Sequence, residues 1–464
     1  MTSQITTDKL SIHKSIHLSI HLSIHKVINA MTIRSEMIRK ILRNGPSASR
    51  QLTDIMNISQ PTLSRALNTL SDDIVRIGSG SSIQYALRDI FRGFNSVPIY
   101  RINEEGKVKP LGKLTPVFPE GFVMERIDNV NRYSEGLPWW LLDMRPQGYL
   151  GRAYASAYSS ELGLPQNPDR WSDTDIIRAL LAHGHDAVGN LLIGEQARDQ
   201  FLGMQTPKIV ERAKTYPTLA RAVSSGEDPG SSAGGEQPKF CTYTEKGHVI
   251  VKFTASDDNA VSERWRDLLQ AEHLALKVLG VETEVFDFEG QRFLEIPRFD
   301  RVGSLGRIGL FSLQALDAEF IGRAREPWPV LVNELIKQKR VHPDAAISTA
   351  RRWAFGMLIG NTDMHHGNLS FISSHGRPYA LSPAYDILPM GFAPKSGGEI
   401  VNTLRPVTLL DGISGEIWQE CLELAEQFYT LANSCNCFSD NFSPCLKALR
   451  SHLDEASSRI SRLG

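Results

Sequence analysis

A lysine inside an apolar strand constrains this chain more than any other single feature. His248-Val249-Ile250-Val251-Lys252-Phe253 reads as a strand, joined through a Glu245-Lys246-Gly247 turn to a second one, Phe240-Cys241-Thr242-Tyr243. A charge in such a run wants a partner. Residues 261 to 279 form a predicted helix whose stripe of Leu268, Ala275, Leu276 and Leu279 also carries Glu272, a carboxylate where an apolar residue is expected. Lys252 and Glu272 are therefore a candidate ion pair between a sheet and a covering helix, the alternative being two solvated surface charges.

The chain has 464 residues, which at roughly 100 to 200 residues per domain suggests two or three units. Its 41% hydrophobic and 22% charged content is that of an ordinary globular protein. A formal charge of -1 exerts no global pull on polyanions, so any nucleic-acid contact must come from a local patch. No apolar stretch approaches the roughly 18 to 20 residues that span a bilayer, and the N-terminus lacks a signal-peptide pattern. A cytoplasmic protein without membrane contact is the expectation. The odd set Cys241, Cys421, Cys435, Cys437 and Cys445 suits a reducing compartment better than a disulfide framework. Cys435, Cys437 and Cys445 could hold zinc, but the paired CxxC spacing is missing.

Residues 11 to 26 repeat a Ser-Ile-His tetrapeptide that spaces His13, His17, His21 and His25 at i, i+4. Such a repeat could chelate a metal on one helix face, yet a low-complexity extension is the simpler reading. From Thr32 the pattern becomes compactly helical. Ile33, Met37, Ile38, Ile41 and Leu42 predict one buried stripe, and Leu52, Ile55 and Met56 a second. A third helix begins after Ser59, with Leu63, Leu67 and Leu70 inward and Gln60, Thr62, Ser64 and Arg65 outward. Ile74 to Ile77 and Ile83 to Leu87 then read as a hairpin. Three helices followed by a hairpin predict a winged helix-turn-helix, whose outward residues on the third helix suit DNA bases and phosphates. Eight basic against five acidic side chains between Arg34 and Asp89 leave a net +3 there, and a protein-contact role for the same fold is the alternative.

Two further segments carry chemistry. Ser231-Ser232-Ala233-Gly234-Gly235-Glu236-Gln237-Pro238-Lys239 is rich in small residues whose backbone N–H groups could approach phosphate oxygens, although it matches no Walker A pattern. Gly360-Asn361-Thr362-Asp363-Met364-His365-His366-Gly367-Asn368 follows a helix through Trp353, Met357 and Leu358 and precedes a strand. Phosphoryl transfer needs a carboxylate for the nucleophile's proton and oxygen ligands for Mg2+, and Asp363 and Asn368 have the interval of a kinase catalytic loop. A hairpin over residues 369 to 381 returns the chain so that Asp386 can join Asn368 as a metal ligand. Asp363, His365 and His366 are the alternative candidates, as zinc or iron ligands of a hydrolase, but adjacent histidines often point apart.

On these motifs the chain resembles the HipA family of serine/threonine kinase toxins, from about residue 145 to near the C-terminus, and is most similar to the HipH type with a fused winged helix-turn-helix. The order matches: Ser231 to Lys239 as phosphate loop, Lys252 as nucleotide lysine, Pro297-Arg298-Phe299-Asp300-Arg301 as hinge, Thr362-Asp363 to Asn368 as catalytic loop, and Tyr385-Asp386 as the metal-binding aspartate. Two departures stand out. The loop has one extra residue before its lysine, and Pro297 replaces a glutamate, keeping a carbonyl for adenine but no N–H.

The resemblance implies an α+β chain: an extension over 1–30, a winged helix over 31–92, an N-terminal kinase lobe with its preceding subdomain over 93–300, and an all-α C-terminal lobe over 301–464. It implies ATP and Mg2+ as cofactors, with Asp363 catalytic and Asn368 and Asp386 on the metal. Ser232, Ala233, Gly234, Gly235, Lys252, Glu272, Phe299 and His365 would bind ATP, and Ser231 or Ser232 would be autophosphorylated. It further implies a translation-related protein substrate, a HipB-like antitoxin and a homodimer. The rival is a DNA-binding transcriptional regulator whose kinase fold is catalytically silent.

Overall fold

The computed structural model describes residues 31–128, 130–227 and 235–463, in two compact units. The histidine repeat and the expected phosphate-loop residues Ser231, Ser232, Ala233 and Gly234 lie outside the described residues.

The first unit takes residues 31–99 and 111–138. It opens with helix α1 (31–42), followed by β1 (Ser47–Ala48), α2 (Ser49–Met56), α3 (Gln60–Asn68), β2 (Ile74–Ile77) and β3 (Gln84–Leu87). Asn57, left-handed at φ 48°, ends α2, and Pro61 sits in the first turn of α3, where its missing N–H costs nothing. The strands form an antiparallel sheet in the order β1-β3-β2, with Ile74 opposite Leu87 and Ile77 opposite Gln84.

Leu63, Leu67 and Leu70 are buried as expected, together with Ile38, Leu42 and Leu52. The expected stripes are wrong at three positions: Ile33, Met37 and Ile55 are 68%, 43% and 57% exposed. On α1 the inward face runs through Ser35, Ile38 and Leu42 instead, and the Ser35 hydroxyl meets that of Thr69 at 3.1 Å. Strands β4 (Val97–Ile102), β5 (Val108–Val117), β6 (Gly121–Arg126) and β7 (Arg132–Ser134) follow. Val117 and Val123 share a small core with Val75, Ile77 and Ala86.

The second unit holds residues 100–110 and 139–463. A short 3-10 turn (Trp139–Met144) leads to α4 (Gly148–Leu162), α5 (Asp173–His183), β8 (Leu191–Ile193), α6 (Gly194–Leu202) and α7 (Arg212–Ser224). Next come β9 (Lys239–Thr244), β10 (Gly247–Phe253), α8 (Ala260–Val278), β11 (Glu284–Phe288) and β12 (Gln291–Pro297), whose antiparallel sheet runs β11-β12-β10-β9. Side-chain alternation divides this sheet's two faces. Val249, Val251 and Phe253 pack with Leu150 of α4 and Tyr216 of α7, whereas Leu294 and Ile296 pack with Leu268 and Leu276 of α8. Lys252, out of phase with its apolar neighbours, therefore faces α8.

After the two-residue strands β13 (Arg301–Val302) and β14 (Gly306–Arg307) come β15 (Gly309–Ser312), α9 (Leu313–Phe320), α10 (Trp328–Lys337) and α11 (Ala345–Leu358). Strands β16 (Ser370–Ser373) and β17 (Ala380–Leu381) and helices α12 (Gly415–Ser434) and α13 (Ser443–Ile460) complete the chain. The expected all-α lobe needs correction, because β15 pairs with β16 and β16 with β17 in a three-stranded sheet. Cys435 and Cys437 adjoin each other in the turn after α12, with Cα atoms 5.3 Å apart, while Cys241, Cys421 and Cys445 are free. None of the described helices is long and apolar enough to cross a membrane.

Candidate active site

Lys252 is buried on β10 and Glu272 on α8, and their Nζ and Oε1 atoms are 2.5 Å apart. Asp386 contacts the same ammonium through Oδ1. Burial alone would lower the Lys252 pKa, but the Asp386 and Glu272 carboxylates outweigh it and hold the group charged. Burial drives the Glu272 pKa up. It opposes ionisation of Asp386 too, yet there Lys252 prevails and keeps the carboxyl below its ordinary range. Asp386 itself is held in the left-handed region, at φ 51°. A non-glycine residue there signals a constrained position.

The loop after α11 is tied to Asp386 by two bridges. Asn361, 3% exposed, accepts the Asp363 N–H on Oδ1 at 3.0 Å and donates Nδ2 to the Asp386 carbonyl at 3.4 Å. The Tyr385 hydroxyl donates to the Gly367 carbonyl at 2.7 Å and lies 2.6 Å from the Ser370 hydroxyl. The residues preceding Asp386 and Asn368 are thus bonded to each other. Asn368 donates Nδ2 to the Asp363 carbonyl at 2.8 Å, which shapes the loop from within.

Gly235, Lys252, Phe299, Asp363, His365, Asn368 and Asp386 all line one cleft of about 1320 Å³, with Glu272 behind Lys252. The two histidines diverge. His366 is bonded to the Glu326 carbonyl at 2.8 Å, whereas His365 is exposed, with Nε2 4.0 Å from Asp363 Oδ1. Among the described residues no group of three or more His, Cys, Asp or Glu side chains could hold a metal ion, for the hydrolase reading or for Cys435, Cys437 and Cys445.

In the segment 297–301, Arg298 donates to both Asp300 oxygens at 2.9 Å, Arg301 reaches Asp300 Oδ2 at 2.6 Å, and the Gly189 N–H adds a bond at 3.1 Å. The Arg298 N–H is used by the His248 carbonyl, and the Phe299 ring lies 5.7 Å from that of Tyr385. Gln60, Ser64 and Arg65 are exposed on α3 and Thr62 is half-buried beside Ser59, all in the first unit.

Sequence reasoning missed Asn361, whose amide ties the nearby Asp363 backbone to Asp386, 25 residues further on. It took Lys239 only as the end of the phosphate loop, whereas the structure buries it in the cleft, 3% exposed, where burial lowers its pKa.

Residues 94–202 match the model of the YjjJ-like toxin middle domain, and residues 231–450 that of the HipA-like C-terminal domain. Toxin YjjJ of Escherichia coli K12 is 34% identical over 439 residues, covering 91% of this chain and 98% of that protein. The chain belongs to the HipA-like toxin family, beside YjjJ. Solved structures include HipA from a complex of HipA, HipB and operator DNA of Shewanella oneidensis MR-1, at 15% identity and TM-score 0.45 over 78% of this chain and 97% of that one. The proinflammatory kinase CtkA of Helicobacter pylori gives 14% and 0.36 over 50% and 91%. At these scores neither likeness carries weight, and the site's chemistry rests on its own residues.

Proposed function

We propose that the second unit of this HipA-like toxin is a serine/threonine protein kinase that uses ATP and Mg2+, and that residues 31–92 are a winged helix-turn-helix that binds DNA. The observation that carries the kinase reading is Lys252 clasped by Glu272 and Asp386 in the cleft that also exposes Asp363 and Asn368.

The donor set fits the cation. Asp386 offers a carboxylate and Asn368 an amide whose Nδ2 is already engaged, leaving the oxygen to face a metal. Few protein ligands suit Mg2+, which keeps waters and takes substrate phosphate oxygens. When bound, the ion would neutralise charge on the transferring phosphoryl group. Lys252 would hold the α- and β-phosphates, and Glu272 would fix its direction. At the hinge, the Pro297 carbonyl and Phe299 N–H would meet adenine, with Gly235 and the residues before it over the phosphates and His365 at the rim. Asp363 would orient the acceptor hydroxyl and take its proton as that oxygen bonds to the γ-phosphorus and ADP leaves. Ser231 or Ser232 would be autophosphorylated.

The family also supports a growth-inhibiting role through a translation-related protein, restraint by a HipB-like antitoxin, a homodimer and a cytoplasmic place of action. For DNA, the support is the outward set Gln60, Thr62, Ser64 and Arg65 on α3. The test of the kinase reading is transfer of radiolabelled phosphate from ATP to protein by the purified chain. Wild type is expected to transfer it and Asp386→Asn to lose at least about a hundredfold, in line with a lost charge-stabilising group. Equal transfer by both would remove Asp386 from the metal site.

A further inference from the structure

The matched middle domain supplies none of the reacting groups named above, yet its helix α4 begins against the proposed phosphate-binding segment. The Tyr149 N–H donates to the Gly235 carbonyl at 2.9 Å. That bond needs a glycine at 148, where a Cβ, at φ +63°, would lie 2.4 Å from the Gly235 oxygen, and Gly235 itself holds φ +94°, a backbone conformation that side chains rarely adopt. Both glycines line the cleft, and one turn into α4 Arg152 pairs with Glu236 at 2.6 Å.

The body of α4 is fixed elsewhere. Leu150 and Ala153 are buried in the same core as Val249, Val251 and Phe253, and the Tyr149 ring meets Phe253 edge-on at 6.1 Å. Strand β10, which carries Lys252, therefore sets the position of α4, and the first turn of α4 sets the position of Gly235. Interiors packed at native density transmit such constraints.

We infer that the first turn of α4 seats the end of the proposed phosphate loop at Gly235 and Glu236, and that Gly148 is a positioning residue for nucleotide phosphates, acting through the Gly235 backbone. The inference rests on the ATP reading. It gives the middle domain a specific role, which is to place the loop's C-terminal end against the lysine strand. Displacing Gly235 disturbs the phosphate side of the cleft and spares the base side, where Pro297 and Phe299 belong to β12 and the residues after it.

Full-length Gly148→Ala and Arg152→Glu, the latter an exposed change that sets two carboxylates against each other, are titrated calorimetrically with ATP and with adenosine. The expected result is an ATP Kd raised about tenfold or more for Gly148→Ala and a smaller rise for Arg152→Glu, with adenosine unchanged in both. A purely structural role at Gly148 would weaken both ligands together. That outcome, or unchanged ATP binding in both variants, would overturn the inference. If wild type binds neither ligand, the ATP reading fails and takes the inference with it.

Discussion

Lys252 Nζ lies 2.5 Å from Glu272 Oε1, while the other oxygen of that carboxylate, Oε2, is buried without a hydrogen-bond partner among the described residues. A structural ion pair would be expected to saturate both oxygens, since each unmet acceptor in a low-dielectric interior costs about 1–3 kcal/mol. Lys252 sits between the two carboxylates, and the Lys239 ammonium acts on both from the same cleft.

Glu272→Ala should therefore cost more than the packing it removes. Breaking a buried pair typically costs about 3–5 kcal/mol, but Asp386 still neutralises Lys252, so the lower end is expected in urea unfolding. Glu272→Gln keeps the shape and an acceptor and should lose less than half as much. Equal losses for both would mean that the charge, and not the volume or the retained acceptor, holds α8 against β10.

Asp300 gives a pH dependence of definite sign. Burial pushes the Asp300 pKa up, but the Arg298 and Arg301 guanidiniums outweigh it and hold the carboxyl well below its usual range. Such a group stabilises the fold above its unfolded pKa, about 4, and that contribution fades as pH falls towards the depressed folded value. At neutral pH, Asp300→Asn is expected to lose about 3–5 kcal/mol, with the gap to wild type narrowing on acidification. Unfolding curves measured from neutral to acid pH check this; a gap independent of pH would contradict the linkage.

The bond from Asn361 to the distant Asp386 carbonyl makes it a second target. Asn361→Ala removes the clamp between the Asp363 backbone and the Asp386 carbonyl without touching either carboxylate. Small misplacements of reacting groups can cost about a hundredfold in rate, so kcat should fall by roughly ten- to a hundredfold. The KM for ATP should change little, and steady-state phosphorylation kinetics separates the two parameters. A rise in KM with kcat intact would assign Asn361 to nucleotide binding instead.

Much of this site was legible because it broke local rules. Lys252 interrupts an apolar strand of period two and Glu272 an apolar helical stripe, so each announced a need for a partner, and they meet. Asp363 and Asn368 stood out by their interval. The clamp by Asn361 left no such signal, because a hydrogen bond to a residue distant in sequence has no period. The same limit hid β15, four residues long, whose partner strand β16 comes only after three helices. On α1 the apolar residues occupy more than one face, and composition could not decide that Ile38 and Leu42 turn inward while Ile33 and Met37 face out.

For the first unit, Arg65→Ala should weaken binding to duplexes selected from a random library. If Arg65 reads a base the loss is about 1–3 kcal/mol at its favoured sequence, and if it meets phosphate the loss is uniform and the salt slope drops by about one. Band shifts at several salt concentrations distinguish the two. An unchanged affinity in both respects would leave α3 without a role in DNA contact.

The most direct test separates binding from transfer at Asp363. Wild type and Asp363→Asn are compared for ATP affinity by calorimetry and for transfer of labelled γ-phosphate to protein. ATP affinity is expected to stay within about threefold of wild type while transfer falls at least about a hundredfold, in keeping with the loss of a proton acceptor. Undiminished transfer by Asp363→Asn, or no transfer by wild type despite ATP binding, would contradict the kinase reading.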